Sequence, residues 1–379
     1  MHLPLLELRD FRNWDRLALP LAAGLTVFHG PNGAGKTNLL EAICLAASGD
    51  SPRARETHEM VRWRQDFAFV RAEWRGGGHL LRLEVGLARA GQRQVKVHGA
   101  PRPRADLIGL APVVYFSADD VTVIKGEPAS RRRLLDRELS ALSRHYYFQF
   151  LRYRRALDQR NRLLKLLRSG RAHPTALDPW DRALAKYGAP LVLARADLLA
   201  ALTPPSAAAH SRLTGAPSRF LVQYRPSVDP PTGQTIVPDE EDPPLAAANL
   251  SGRFDSVLRA EREGDIARGA TGAGPHRDDF EVLLDGEPVR IFASQGEQRT
   301  CALALRIGLA DVVRLRRGAS PVLLLDDVLS ELDGRRRAGV LSACAEAEQV
   351  IITCCDIADI PPALQQAAAV FEVSDGKLV

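Results

Sequence analysis

Cysteine is scarce in this chain, and the features that mark secreted and membrane proteins are missing. The 379 residues include five cysteines, an odd number, and no two of them are spaced as Cys-x-x-Cys. We therefore expect neither a disulfide framework nor a zinc site, but reduced thiols. No apolar run is long enough to span a membrane, and no basic stretch followed by an apolar run opens the sequence. These absences predict a cytoplasmic protein with no membrane segment.

The charge balance is mildly basic and leaves the partner open. The formal net charge is +5, and most of the basic residues are arginines, which suit bidentate contacts to phosphate. An arginine- and alanine-rich composition is equally expected of a genome rich in G and C. The length is comfortable for two domains, and 45% hydrophobic residues allow a large core.

The strongest motif is a glycine-rich segment that reads Gly30, Pro31, Asn32, Gly33, Ala34, Gly35, Lys36, Thr37. It fills every fixed position of the phosphate-binding loop G-x-x-x-x-G-K-[ST]. An apolar strand is expected before it, at 25–28, and a helix after it, at 38–47. We expect Lys36 to reach the β- and γ-phosphates and the Thr37 hydroxyl to bind Mg²⁺. A fortuitous glycine turn is the alternative, which the flanking strand and helix disfavour.

A second acidic motif fits the same chemistry. Residues 321–325 form an apolar strand that ends in Asp326 and Asp327, and ligands of open α/β sheets bind at the carboxyl ends of the strands. We expect Asp326 to hold Mg²⁺ through coordinated water and Asp327 to act as general base toward an attacking water. Solvated acids that merely end a strand are the alternative.

The hydrophobic pattern predicts strands and helices along the whole chain. The expected elements are strands at 3–9, 17–21 and 25–28, a helix at 38–47, a β meander within 67–98, a strand at 113–116, one long helix from 129 to 168, a second helix at 178–202, a strand at 220–225, a helix at 246–262, a hairpin of 280–284 with 289–291, a helix at 299–316, and then strands at 321–325, 350–353 and 370–373 with a helix at 336–345.

The fold class that follows is α/β. A parallel sheet carries the phosphate loop, an antiparallel meander accompanies it, and a second, helical lobe contains a short antiparallel helical hairpin. We divide the chain into residues 1–118, 119–264 and 265–379, with the outer two segments forming one lobe. The proline-rich acidic stretch 226–244 is expected to be a loop or linker.

A possible second anion site opens the helix that begins near residue 295. Ser294, Gln295 and Gly296 come just before or within its first turn, where backbone N–H groups attract anions. One chain needs only one phosphate site for one nucleotide. A head-to-tail dimer uses both sites if each nucleotide is closed between two copies. The alternative is that Ser294 is simply a helix N-cap.

Taken together, these residues resemble a known family. The resemblance rests on Phe11-Arg12-Asn13, residues 30–42, Ser51-Pro52-Arg53, residues 274–279 (Gly-Pro-His-Arg-Asp-Asp), residues 294–299 and residues 324–333. The chain is similar over nearly its whole length to the RecF family of bacterial recombination mediators, in the ABC-type ATPase group that includes the SMC proteins. The resemblance implies an ABC-type ATPase head.

The resemblance also implies roles for individual residues. ATP contacts are expected from residues 30–37, Asn38, Arg12 and Asn13, and in trans from the signature motif at Ser294, Gln295 and Gly296 of a second copy. Residues 330–333 resemble the D-loop of the dimer interface. Asp327 stands where many relatives of the group have glutamate, so slow hydrolysis is expected. The residue that senses the γ-phosphate is left open between Thr353 and Asp356, and no glutamine loop is assigned near residues 117–120.

The implied function is ATP-dependent DNA binding in gap repair, with RecR and RecO as partners in recombinase loading and links to replication restart and SOS induction. Clusters of arginine that could contact DNA lie at 131–133, 152–155 and 335–337, although each is also what a solvated helix face looks like. The alternatives are an energy module of a membrane transporter and an ATP-binding scaffold without turnover. The helical hairpin and the repair-type motifs argue against the transporter module.

Overall fold

The structure is a computed structural model that describes residues 1–229, 245–330, 332–344 and 346–379. Most of the predicted proline-rich acidic loop, from residue 230 onward, and Glu331 of the expected D-loop lie outside the described residues. The chain forms two compact units. The first unit comprises Met1–Val121, Pro205–Ser218 and Arg299–Val379, and the second Thr122–Pro204 and Arg219–Gln298.

The strands of the described chain are numbered here in chain order. They are β1 His2–Phe11, β2 Trp14–Pro20, β3 Gly24–His29, β4 Phe67–Gly76, β5 His79–Ala88, β6 Arg93–Val97, β7 Ala100–Arg102, β8 Val113–Ser117, β9 Phe220–Arg225, β10 Asp279–Leu284, β11 Glu287–Pro288, β12 Val322–Asp326, β13 Gln349–Cys354, β14 Ala369–Ser374 and β15 Lys377–Leu378.

The α-helices follow the same order. They are α1 Lys36–Ser48, α2 Val121–Lys125, α3 Pro128–Leu142, α4 Arg144–Arg168, α5 Asp178–Thr214, α6 Leu245–Ala260, α7 Arg262–Arg268, α8 Val289–Phe292, α9 Gln295–Arg317, α10 Gly334–Cys344 and α11 Pro362–Ala367. Within the described part of the chain, no helix combines the length and the apolar character needed to cross a bilayer.

The first unit is built on two six-stranded sheets. One has the order β15-β14-β3-β13-β12-β8 and is parallel from β14 to β8, whereas β15 pairs antiparallel at its edge. The other, β2-β1-β4-β5-β6-β7, is antiparallel throughout. Apolar residues of both sheets and of α1 share one buried cluster. The predicted α/β class, with a parallel core and an antiparallel meander, is confirmed.

The second unit is mainly helical and carries a three-stranded sheet, β11-β10-β9. The prediction of one helix from 129 to 168 was wrong, because Ser143 is extended and separates α3 from α4. Its hydroxyl accepts a hydrogen bond from the Tyr146 amide at 3.1 Å and so caps α4. A serine can break a helical pattern in this way without any glycine or proline.

The predicted strand at 289–291 was also wrong. The hairpin partner of β10 is only the two-residue β11, and the chain then turns into α8. Pro288 has no N–H to donate to the ladder, so pairing stops there. The strand β10 also pairs along its length with β9, which draws residues 279–284 into the second unit. The unit boundary therefore falls at 298 rather than at the 264 used in the sequence-based division.

The Gly-Pro-His-Arg-Asp-Asp segment at 274–279 forms a buried polar network in the second unit. The Arg195 guanidinium is buried and contacts the Asp136 carboxylate at 2.6 Å, the Pro275 carbonyl at 2.6 Å and the Asp278 carboxylate at 3.3 Å. Arg131 is buried too and pairs with both oxygens of Asp279, at 2.6 and 2.9 Å. Arg131 is therefore not available at the surface as the predicted DNA contact.

His276 belongs to the same network. Its Nδ1 lies 2.7 Å from the Tyr153 hydroxyl, and its Nε2 lies 3.1 Å from the Thr271 carbonyl. Burial lowers the pKa of His276 to about 4, from an ordinary value of about 6.5. The folded protein thus keeps this ring neutral where the unfolded chain takes up a proton.

This difference predicts an acid-sensitive fold. The contribution of His276 is fully present above the unfolded pKa and is lost as pH falls from about 6.5 toward 4, because the unfolded state then binds the extra proton. We expect the free energy of unfolding to fall by about 2 kcal/mol more in the wild type than in His276→Gln between pH 7 and pH 5. Urea denaturation followed by circular dichroism measures both proteins, and parallel pH profiles would contradict the assignment.

Candidate nucleotide site

The glycines of the predicted phosphate loop are required by their surroundings. The loop connects the end of β3 to the start of α1. Gly30 has a φ of 144°, and a Cβ there would lie 2.2 Å from the Val373 carbonyl oxygen. Gly35 has a φ of 115°, and a Cβ there would lie 2.6 Å from the Asn13 side-chain amide. Only glycine fits both positions.

Neighbouring segments of the first unit hold the loop in place. The Asn13 side-chain amide donates to the Ala34 carbonyl at 2.8 Å, and the Asn38 amide donates to Asn13 Oδ1 at 2.8 Å. The Trp14 indole donates to the Gly35 carbonyl at 3.1 Å. Asn13 and Asn38, both predicted nucleotide contacts, thus lie directly against the loop and support its backbone.

Lys36 lies across the mouth of the loop. Its buried ammonium donates to the Gly30 carbonyl at 2.6 Å and to the Pro31 carbonyl at 2.9 Å. At the same loop, the Cys355 thiol donates to Asn32 Oδ1 at 2.9 Å, which connects the end of the parallel strand β13 to the loop. The Lys36 ammonium is thus held against the loop, and a positive charge at a glycine-rich loop that leads into a helix is suited to binding phosphate.

Arg12 is engaged by an acid on α1. Its guanidinium donates to both carboxylate oxygens of Glu41, at 2.7 and 2.8 Å, and to the Glu59 carbonyl at 2.6 Å. Glu41 is fully buried and also accepts a hydrogen bond from the Ser51 hydroxyl. The pair holds Arg12 beside α1, while its role as a nucleotide contact stays a prediction.

Asp326 accepts hydrogen bonds from three hydroxyl groups. Its Oδ1 accepts hydrogen bonds from the Thr37 hydroxyl at 2.7 Å and from the Thr353 hydroxyl at 2.8 Å. Its Oδ2 accepts one from the Tyr115 hydroxyl at 2.7 Å. The three donors come from α1, β13 and β8, so the carboxyl end of the parallel sheet and the phosphate loop meet at this carboxylate.

The same atoms fit a magnesium ion. Thr37 Oγ1 and Asp326 Oδ1 are hard oxygen donors that already lie side by side at the mouth of the loop, which suits a Mg²⁺ held partly by substrate phosphates. Among the described residues there is no group of three or more His, Cys, Asp or Glu side chains suited to a metal. The adjacent oxygens of Thr37 and Asp326 are the ones that would hold the ion.

Asp327 has the character expected of a base. It lies in the left-handed region at a φ of 52°, and its amide donates to the Thr353 carbonyl and hydroxyl at 3.1 and 3.0 Å. Its Oδ1 is buried and has no hydrogen-bond partner among the described residues. Burial raises the pKa of Asp327 from its ordinary value, and Ser330 and the Lys36 ammonium partly oppose this shift.

The signature-like motif belongs to the second unit. The Ser294 hydroxyl donates to the Glu297 carboxylate at 2.7 Å, and the Glu297 amide approaches Ser294 Oγ at 3.3 Å, so Ser294 caps α9. The N-cap is thus present in the structure, and the anion-site role of Ser294 stays a prediction. Ser294 and Gln295 are exposed and Gly296 is half-buried. In the expected D-loop, the Ser330 hydroxyl donates to the Asp327 carbonyl at 3.1 Å.

The sequence reasoning missed two supporting residues and left a third unassigned. The sequence pattern places Tyr115 only in an apolar strand and Glu41 only in a helix. A lone acid inside the apolar stretch 38–47 was the signal that could have identified Glu41. Thr353 follows three apolar residues of β13 and lies opposite Asp326 in the parallel register, whereas Asp356 caps a short 3₁₀ turn by accepting from the Ala358 amide at 2.9 Å.

Comparisons with known proteins show the family. The family model for the RecF/RecN/SMC N terminal domain matches residues 2–377. The chain is 37% identical to the DNA replication and repair protein RecF of Chloroflexus aurantiacus, over all of this chain and 99% of that protein. It is 39% identical to RecF of Frankia alni, over 96% of each chain.

Solved structures extend the comparison. A structure of the recombination mediator protein RecF with ATPrS, in the RecFOR pathway, superposes with a TM-score of 0.87 at 28% identity, over 100% of this chain and 97% of that chain. An SMC head bound to the C-winged helix domain of ScpA gives a TM-score of 0.55 at 16% identity, over 100% of this chain and 97% of that chain, and so shares the fold. The chain belongs to the RecF family of DNA replication and repair proteins.

Proposed function

We propose that this protein binds ATP with Mg²⁺, that ATP joins two copies into a DNA-binding dimer, and that slow hydrolysis separates them during recombinational gap repair. The observation that carries the proposal is the 2.7 Å contact between Thr37 Oγ1 and Asp326 Oδ1, which brings the phosphate loop and the acidic strand end to one point. Relatives solved with ATP and with ATPrS support the choice of nucleotide.

Binding in this proposal depends on the loop 30–37. Its backbone amides and the start of α1 surround the phosphates, and Lys36 leaves the carbonyls of Gly30 and Pro31 to contact the β- and γ-phosphates. When bound, the metal neutralises charge that develops on the phosphates. Asn13 and Asn38 keep the loop backbone in position while the lysine moves.

Hydrolysis in this proposal uses Asp327 as the general base. A carboxylate with a raised pKa, and with one buried oxygen that has no partner among the residues the structure describes, is suited to accept a proton from a water molecule. Thr353 acts as a positioning residue, because its hydroxyl donates to Asp326 and accepts from the Asp327 amide. An aspartate has one methylene fewer than a glutamate and so reaches less far toward the attacking water, which supports slow turnover.

Dimerisation in this proposal brings Ser294 of one copy to the γ-phosphate bound by the other. The exposure of Ser294 and Gln295 at the start of the 23-residue helix α9 supports this role. The γ-phosphate then bridges the two copies, and its loss removes the bridge. Glu331 of the D-loop lies outside the described residues, but Ser330 is linked to the Asp327 carbonyl.

DNA binding in this proposal uses exposed arginines on helix surfaces. Arg152, Arg154 and Arg155 of α4 are exposed, and so is Arg335 of α10, whereas Arg336 pairs with Asp333 at 2.8 Å. Membership in the family supports action in the cytoplasm, with RecR and RecO as partners. It also supports roles in replication restart and SOS induction, and it disfavours the alternative of a transporter module.

The dimer is tested by analytical ultracentrifugation with and without ATP. We expect ATP to convert the wild type to dimers and Ser294→Arg to stay monomeric, since the arginine side chain fills the space of the trans phosphate contact. Ser256→Arg, an exposed serine of α6 in the same unit, adds the same charge and should leave dimerisation unchanged. Dimers that survive Ser294→Arg would rule out the trans role of the motif.

The DNA contacts predict steep salt dependence. Neutralising several phosphates should reduce the affinity of the ATP-bound protein for duplex DNA by about 10³-fold or more between 50 and 200 mM salt. Arg154→Ala combined with Arg155→Ala should lower the slope of log affinity against log salt by about 2. Fluorescence anisotropy measures both quantities. An affinity that does not change with salt would contradict phosphate contacts.

If Thr353 positions the catalytic acids, its loss should slow ATP hydrolysis without weakening ATP binding. Thr353→Val removes the hydroxyl between Asp326 and Asp327, so we expect kcat for ATP hydrolysis to fall by about tenfold or more, with the Kd for ATP changed by less than about threefold. Thr353→Ser restores the hydroxyl and should recover most of the rate. A wild type that binds ATP without turnover would instead indicate an ATP-binding scaffold, and a rate that Lys36→Met leaves unchanged would show that the loop 30–37 does not carry the hydrolysis.

A further inference from the structure

Two large apolar side chains are exposed immediately before the signature-like motif. Ile291 and Phe292, in the last turn of the short helix α8, are 65% and 68% exposed. The preceding Val289 is buried at 1% exposure, so α8 is anchored at one end and presents the other to solvent. Adjacent exposed apolar residues of this size are typical of a surface that is covered in an assembly.

One buried side chain fixes this pair relative to the motif. The Gln298 amide, in the first turn of α9, donates to the Ala293 carbonyl at 3.1 Å and approaches the Val289 and Arg290 carbonyls at 3.5 Å. It thereby satisfies carbonyls at the end of α8. Ile291, Phe292 and Ser294 are all exposed and lie within four consecutive residues, and we call these three residues the signature edge.

We infer that Ile291 and Phe292 are the apolar anchor of the ATP-dependent dimer and pack against a second copy of this chain. This inference rests on the proposed function, in which Ser294 contacts the nucleotide of the other copy. Phe292 and Ser294 are two residues apart, so their Cα atoms can be separated by no more than about 7 Å. A partner surface that contacts Ser294 is therefore within reach of the neighbouring exposed pair.

The chemistry of the signature edge favours a protein surface over nucleic acid. Phosphate contacts require donors or positive charge, which neither Ile291 nor Phe292 supplies. A polar motif flanked by apolar side chains matches a protein interface, where buried aromatic residues carry much of the binding energy. In a two-fold dimer the same edge occurs twice, so each change acts at two places.

The test measures the dimer dissociation constant in the presence of ATP for the full chain and its variants. Phe292→Ser should raise this constant by about 100-fold, since two aromatic side chains are lost per dimer. Phe292→Leu should recover most of the affinity. The matched control is Leu315→Ser, because Leu315 is 77% exposed near the far end of α9, and it should change the constant by less than about twofold.

A second measurement keeps the result specific to the interface. Binding of a fluorescent ATP analogue to the monomer, at protein concentrations below the dimerisation range, should be equal in the wild type and in Phe292→Ser. A wild type that stays monomeric with ATP overturns both the proposed function and the anchor. A wild type that dimerises while Phe292→Ser dimerises with the same affinity overturns the anchor alone.

Discussion

One buried carboxylate, that of Asp326, holds the nucleotide site together. It accepts hydrogen bonds from hydroxyl groups on α1, β13 and β8, which fixes the phosphate loop against the carboxyl edge of the parallel sheet. A buried charge is stable only when such partners satisfy it. The same hydroxyl of Thr353 also accepts from the Asp327 amide. The residue proposed to hold the metal and the residue proposed to activate water are therefore positioned by one shared side chain.

The second unit depends on buried arginines in a comparable way. Arg160 is fully buried and donates to the carboxylates of Asp181 at 2.7 Å and Asp265 at 2.6 Å. Arg195 and Arg131 satisfy the acids of the segment 274–279. Breaking such a pair leaves an uncompensated buried charge. Several arginines and acids of this unit therefore stabilise its fold. A count of arginines in the sequence consequently overestimates the number that can contact DNA.

Much of the fold followed from local sequence rules. The loop 30–37, the apolar strand before Asp326 and the alternating strands and helices gave the correct class, because glycine spacing and hydrophobic period are local properties. The helix break at Ser143 comes from a side chain that caps the backbone, and the hairpin ends early at Pro288 because proline has no N–H to donate. A hydrophobic period does not reveal such effects of single residues. Asp326 contacts Tyr115, more than 200 positions earlier in the chain, and Thr353, fewer than 30 positions later. These three residues meet only because their strands are paired side by side in the parallel sheet. The roles of the predicted residues in ATP binding and hydrolysis stay predictions.

The central claim is that one nucleotide site is completed by two copies of the chain. ATP hydrolysis by an equimolar mixture of Lys36→Met and Ser294→Arg tests it most directly. Each variant alone lacks one half of every composite site, whereas a mixed dimer has one site with an intact loop and an intact Ser294. The account predicts that the mixture hydrolyses ATP well above the rate of either variant alone and at most at about half of the wild-type rate per subunit, the value reached when every dimer is mixed. A mixture that hydrolyses ATP no faster than the two separate variants would contradict it.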